Sequence, residues 1–239
     1  MSTDRRQYVK YTFYSVAPEW RALPAAERDA HKLEIVELLE RHAERVMIRT
    51  YSTVGTRGDC DFLLWTVSYD LDDIQQIASE IAGSAMGPYL ETPHSYLAMT
   101  KRSQYIDKHT HEGQEGARLR IRPADKKYFF VYPFWKTHDW YQLARDERQT
   151  MMDEHIRIGH KYPSVRINTG YSFGLDDQEF VVAFETDFPA DFLDLVMELR
   201  EAVQRKYTLR DTPIFTCVAK APREMLDLVA TPARTAVGA

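Results

Sequence analysis

The 239 residues carry 44% hydrophobic and 28% charged side chains and a net charge of -5, enough apolar material for a proper core in one large domain or two small ones. A mildly acidic chain without a basic block has little electrostatic reason to bind nucleic acid or an anionic bilayer, and no apolar run approaches the roughly 18 residues of a membrane span. No leader-like segment opens the sequence, so the chain is expected to be cytoplasmic, with no nucleic-acid partner and no membrane span.

In chain order, period-2 and period-3.6 patterns predict a strand over 7–16, a helix over 25–44, strands over 45–54 and 61–69, a helix over 71–85 and a strand over 94–99. Cys60 immediately precedes the second of those inner strands. A polar linker follows. The order then returns: strand 127–134, helix 145–161, strands 164–173 and 179–186, helix 190–206, strand 214–219, the last holding Cys217. Neither cysteine belongs to a Cys-x-x-Cys pair, so both read as free buried thiols, and zinc and thiol redox chemistry drop out.

The repetition is visible in the letters. Trp20, Leu23, Glu27 and Arg28 recur as Trp140, Leu143, Glu147 and Arg148, displaced by 140 − 20 = 120 residues, and Asp61-Phe62 recurs as Glu179-Phe180 at 179 − 61 = 118. Two βαββαβ units predict an α+β protein of tandem ferredoxin-like repeats, whose sheets complete a dimeric α+β barrel and so remove exposed edges. The expected division is an N-terminal half over 1–105, a linker over 106–125 and a C-terminal half over 126–239.

Duplication separates scaffold from chemistry. Whatever both copies keep is explained by folding alone. His155 and Tyr132 have no counterpart, aligning with Ile35 and Thr12, so a single cofactor site is expected in the C-terminal half. On its helix His155 shares a side with Met151, Met152, Ile158 and Tyr162, opposite Asp153, Glu154, Arg157 and Lys161. A neutral imidazole there can ligate a metal or a haem iron if a hydrogen bond holds its other nitrogen; the alternative is a hydrogen-bonded core histidine. Gly159 would let a flat cofactor approach the helix. In the linker, Arg118, Arg120 and Arg122 alternate with Leu119 and Ile121, which makes either a solvated face or an anion clamp.

The stretches Lys127-Tyr-Phe-Phe-Val-Tyr132-Pro-Phe-Trp-Lys136, Asp139-Trp140, Met152-Asp-Glu-His155, Gly159-His-Lys-Tyr162 and Phe173-Gly-Leu-Asp-Asp-Gln-Glu-Phe180 together resemble the chlorite dismutase family of haem proteins, whose subunits assemble into pentameric or hexameric rings. That resemblance implies His155 as the proximal iron ligand; its other nitrogen needs an acceptor, for which Glu198 and Glu201 on the last helix are candidates, with Val203 as the alternative alignment of the family's acidic residue. It implies Arg118, Lys136 and Trp140 as residues that hold the porphyrin carboxylates. In the chlorite-decomposing branch an arginine reaches over the iron from the next strand, and here that position aligns with Ile167. The pattern is closer to the actinobacterial coproheme decarboxylases, which use hydrogen peroxide to convert iron coproporphyrin III to haem b. In them a tyrosine like Tyr132 forms the reactive radical and a linker histidine, here His111 or His109, takes the proton of peroxide. Chlorite dismutation, and haem binding with weak peroxidase activity, are the alternatives within the family; a ferredoxin-like dimer without haem is the alternative outside it.

Overall fold

The computed structural model describes residues 5–105 and 120–230. Nine-residue β1 (Tyr8–Val16) buries Val9, Tyr11 and Phe13 at period two. A short helix α1 (Pro18–Ala22) and the long α2 (Ala25–Ala43) follow, then β2 (Met47–Ser52), β3 (Phe62–Ser68), α3 (Leu71–Gly83), a 3-10 turn (Gly87–Tyr89) and β4 (Leu90–Met99). The second repeat runs β5 (Tyr128–Lys136), α4 (His138–Gln142), α5 (Arg145–Gly159), β6 (Arg166–Tyr171), β7 (Phe180–Thr186), α6 (Pro189–Glu201), a 3-10 turn (Val203–Tyr207), β8 (Thr208–Arg210) and β9 (Phe215–Ala219), with α7 (Pro222–Val229) behind it. The α+β class and the βαββαβ order are those the sequence predicts.

The chain divides into two units. In one, Lys10–Ser95 with Cys217–Ala239, the strands lie in the order β4-β1-β3-β2, with β9 added beside β2 through Tyr51↔Ala219 and Ser52↔Val218. Numbered within the repeat, that is 4-1-3-2, the order of a ferredoxin-like sheet. Its core joins Tyr14, Val16, Phe62 and Leu64 from the strands to Ile35, Leu38 and Leu39 of α2, Ile77 and Ile81 of α3, and Met225, Leu226 and Val229 of α7. The α3 isoleucines repeat at helical spacing, and Asp70 caps the helix by accepting from the Asp72 N–H at 3.2 Å. Each fully buried aliphatic side chain contributes about 1.5–3 kcal/mol. Lys32, almost fully buried, donates to Asp227 at 2.8 Å and to the Ala230 carbonyl at 3.2 Å, and so ties α7 to α2.

The other unit, Met1–Val9 with Tyr96–Thr216, repeats the order as β8-β5-β7-β6, all antiparallel. Phe130 stacks on Phe192 of α6 with ring centroids 4.0 Å apart, and Ile158, Val165, Phe184 and Leu195 complete that core. Gly170 of β6 sits so close to Ala98 that a Cβ there would lie 2.6 Å from the alanine Cβ.

The duplication is as plain in the bonding as in the letters. Gly55 and Gly174 take positive φ angles of 81° and 72° at equivalent turns, where a side chain would be strained. Asp61 accepts from the Val16 N–H at 2.7 Å and from Arg21 at 2.9 Å, while Glu179 accepts from the Lys136 N–H and from the Tyr141 hydroxyl, both at 2.7 Å. The donors are again 120 residues apart (136 − 16 and 141 − 21). One expectation needs correction: the helix read over 190–206 ends at Glu201, because Ala202 is extended (φ -64°, ψ 144°) and the Val203 N–H is capped by Glu154 Oε2 at 3.1 Å.

Candidate functional site

Alternation along β5 sends Tyr128, Phe130, Tyr132, Phe134 and Lys136 to one side of the sheet. The register continues that face across the neighbouring strands. Phe130 stands beside Phe184 and Ile167, Tyr132 beside Val182 and Thr169, and Phe134 beside Phe180 and Tyr171. It is the face on which α5 and α6 pack, since Phe130, Phe184, Ile158 and Phe192 share one cluster and Tyr132 lies against it. Ile167 is 44% exposed on that face.

His155 comes to this region on α5, the side of that helix that also buries Ile158. Its Nδ1 lies 3.2 Å from Nε2 of Gln204 in the 3-10 turn, and Gln204 Oε1 accepts from Lys136 Nζ at 2.6 Å. Lys136 is buried, its ammonium 4.3 Å from the centroid of the Trp140 ring. Burial and the nearby Lys136 charge push the His155 pKa down from 6.5 to about 4, leaving the imidazole neutral at pH 7. Burial, and then the Arg205 guanidinium, lower that of Lys136 to about 8 against the opposing pull of Glu179. Tyr132 stacks on Phe184 with centroids 5.8 Å apart; burial, reinforced by the Asp211 carboxylate, holds its phenol above the usual range. It therefore keeps its hydrogen at any physiological pH. Asp211 itself is paired with Arg200 and Arg205.

The structure thus brings Lys136, Trp140 and His155 together, with Tyr132 on the same sheet face, four residues from Lys136 and so roughly 13 Å along the strand. His109, His111 and Arg118 lie outside the described residues. The expected partner of His155 is different: Glu198 is bound to Lys161 and to the Tyr162 hydroxyl, and Glu201 is exposed, whereas Gln204 holds the ring. The duplication carried the missed signal. The repeat offsets map Lys136 to Val16 (136 − 120), His155 to Ile35 (155 − 120) and Gln204 to Met86 (204 − 118). All three counterparts are buried members of the other unit's apolar core. A polar trio thus replaces an apolar one at matching positions.

These residues suit an iron porphyrin. A neutral imidazole held at Nδ1 by Gln204 could offer Nε2 to an iron once that nitrogen gives up its hydrogen. The exposed Ile167 on the same sheet face offers an apolar contact to a flat macrocycle.

Fold and site together define an α+β protein of tandem ferredoxin-like repeats with a histidine-centred candidate site among the described residues of its second repeat. The family model for chlorite dismutase matches residues 19–220, and the chain belongs to that family of haem proteins. It is 28% identical over 217 residues to the coproheme decarboxylase of Mycolicibacterium smegmatis, covering 88% of each chain. It is 27% identical over 208 residues to the chlorite dismutase of Ideonella dechloratans, covering 85% of this chain and 72% of that one. Among solved structures, a chlorite dismutase variant from Candidatus Nitrospira defluvii superposes with a TM-score of 0.85 at 22% identity, covering 96% of this chain and 97% of the other, which shows the shared fold.

Proposed function

We propose that this chain is a peroxide-dependent coproheme decarboxylase that binds iron coproporphyrin III through His155 and yields haem b. The observation that carries the reading is the arrangement of a neutral, hydrogen-bonded His155 with a protonated Tyr132 on the adjoining sheet face. The bound iron porphyrin supplies oxidising power drawn from peroxide. Tyr132 gives up its phenolic hydrogen atom, and the resulting radical takes one from the propionate side chain; burial keeps that hydrogen in place beforehand. Each propionate, with one peroxide and one proton, gives a vinyl group, one carbon dioxide and two waters. His155 would hold the metal, and Trp140 and Lys136 would line the site. Arg118 is assigned to a porphyrin carboxylate and His111 or His109 to the peroxide proton. A cytoplasmic homo-oligomer, pentamer or hexamer, belongs to the same reading.

Chlorite dismutation is the second reading within the family. Ile167, on the site face, offers no cation to hold an oxyanion beside the metal, and this favours the decarboxylase. The test is a titration of the purified chain with ferric coproporphyrin, followed by stepwise peroxide, reading the Soret band and the porphyrin mass. Loss of two carboxyl groups is expected. Tyr132→Phe should keep the Soret band and stop the mass loss, and His155→Ala should remove the axial ligand. Bleaching without mass loss in the wild type would overturn the decarboxylase, and dioxygen evolved from chlorite would establish the rival.

A further inference from the structure

The line Lys136, Gln204, His155 assigns hydrogens as well as contacts. An ammonium has three donors and no acceptor, so the atom 2.6 Å from Lys136 Nζ is the amide oxygen of Gln204. The amide nitrogen, donor only, is then the atom facing His155 Nδ1 at 3.2 Å. A donor there requires a lone pair on Nδ1. A neutral imidazole carries one hydrogen, which must sit on the remaining nitrogen, Nε2.

We propose that the site at rest holds His155 as the Nε2–H tautomer, and that Lys136, acting through Gln204, is a latch on iron ligation. The inference rests on the reading of His155 as an iron ligand. An iron at Nε2 needs that hydrogen moved to Nδ1, where Gln204 must turn its oxygen to accept it. Turning the amide would set its nitrogen against the Lys136 ammonium, donor against donor. The Lys136 ammonium also lies 4.3 Å from the centroid of the Trp140 ring, a contact it would give up by swinging aside. Gln204 and Lys136 are therefore positioning residues that set how readily, and how strongly, His155 takes the metal. With a carboxylate at position 204 both neighbours would be satisfied at once, Lys136 on one oxygen and an Nδ1–H on the other, and the latch would be open.

The tautomer is read directly by long-range proton–nitrogen correlation spectra of the full, porphyrin-free chain labelled at histidine, with His155→Ala assigning the signals. Nδ1 of the wild type should resonate as an unprotonated ring nitrogen and Nε2 as a protonated one. A protonated Nδ1, or an even mixture, would overturn the proposal. Gln204→Glu, which is isosteric, should reverse the tautomer; Lys136→Met should shift it towards Nδ1–H and speed capture of ferric protoporphyrin IX, followed at the Soret band, several-fold. In the haem-loaded protein Gln204→Glu should also lower the reduction potential, because a carboxylate partner makes the ligand more electron-rich. An unchanged tautomer in both variants would refute the latch. If no variant binds porphyrin, the functional reading and the latch both fail, while the tautomer measurement still decides where the resting hydrogen sits.

Discussion

Protonation of His155 sets how the porphyrin-free protein responds to acid. In the folded chain the imidazole titrates at about 4 rather than at the usual 6.5. Below pH 6.5 the unfolded chain binds a proton that the folded chain refuses, so acid favours unfolding. The sign is that of a depressed group: its contribution is whole above pH 6.5 and is lost progressively as the pH falls to 4. The gap of 6.5 − 4 = 2.5 on the pH scale, at 1.36 kcal/mol each, comes to about 3 kcal/mol, an upper figure because the ring is only partly shielded from solvent. Urea unfolding of the wild type and of His155→Leu at intervals from pH 7 to pH 4 isolates the effect, since every other titrating group is common to both. The variant should gain about 3 kcal/mol on the wild type across that window. Two curves that stay parallel would refute the electrostatic account of the site.

Gly170→Ala should destabilise the protein by about 1–3 kcal/mol through the clash with Ala98; Ala98→Gly in the same chain should recover part of it, as thermal unfolding would show. Asp227→Ala leaves the buried Lys32 charge without its carboxylate and should cost about 2–4 kcal/mol in urea, whereas Lys32→Met combined with Asp227→Ala should cost less than the single change. Asp61→Ala and Glu179→Ala each orphan the strand-end N–H of equivalent residues and should cost similar amounts, about 1–3 kcal/mol; costs differing several-fold would mean that the two carboxylates are not equivalents.

Elements whose burial follows a period were legible in the sequence. Alternation gave β1 and β5 away, and the isoleucines at 74, 77 and 81 marked α3. His155 was visible because α5 places it beside Ile158. The five-residue helices Pro18–Ala22 and His138–Gln142 are too short to show any period. Gln204 was hidden for another reason. Glu201-Ala-Val-Gln-Arg-Lys206 holds no Gly or Pro, and its helix is broken by a cap from Glu154, 49 residues away. Such a break is imposed by tertiary structure, not by local propensity. The same break explains the misassigned partner: a helix continued to 206 would leave Glu198 or Glu201 the natural neighbours of His155, while a 3-10 turn presents Gln204 instead.

Val16, Ile35 and Met86, the apolar equivalents of Lys136, His155 and Gln204, show that this backbone has no need of a polar centre in order to fold. The first repeat is a ready design for a sealed second repeat. Writing Lys136→Val, His155→Ile and Gln204→Met into one chain should yield a protein that binds no porphyrin yet resists unfolding better, since a depressed lysine and histidine are exchanged for packed side chains. Three polar residues of the second repeat thus occupy the positions that the first repeat gives to packed apolar side chains, so the residues of the candidate site and a fully apolar core are two uses of one backbone plan.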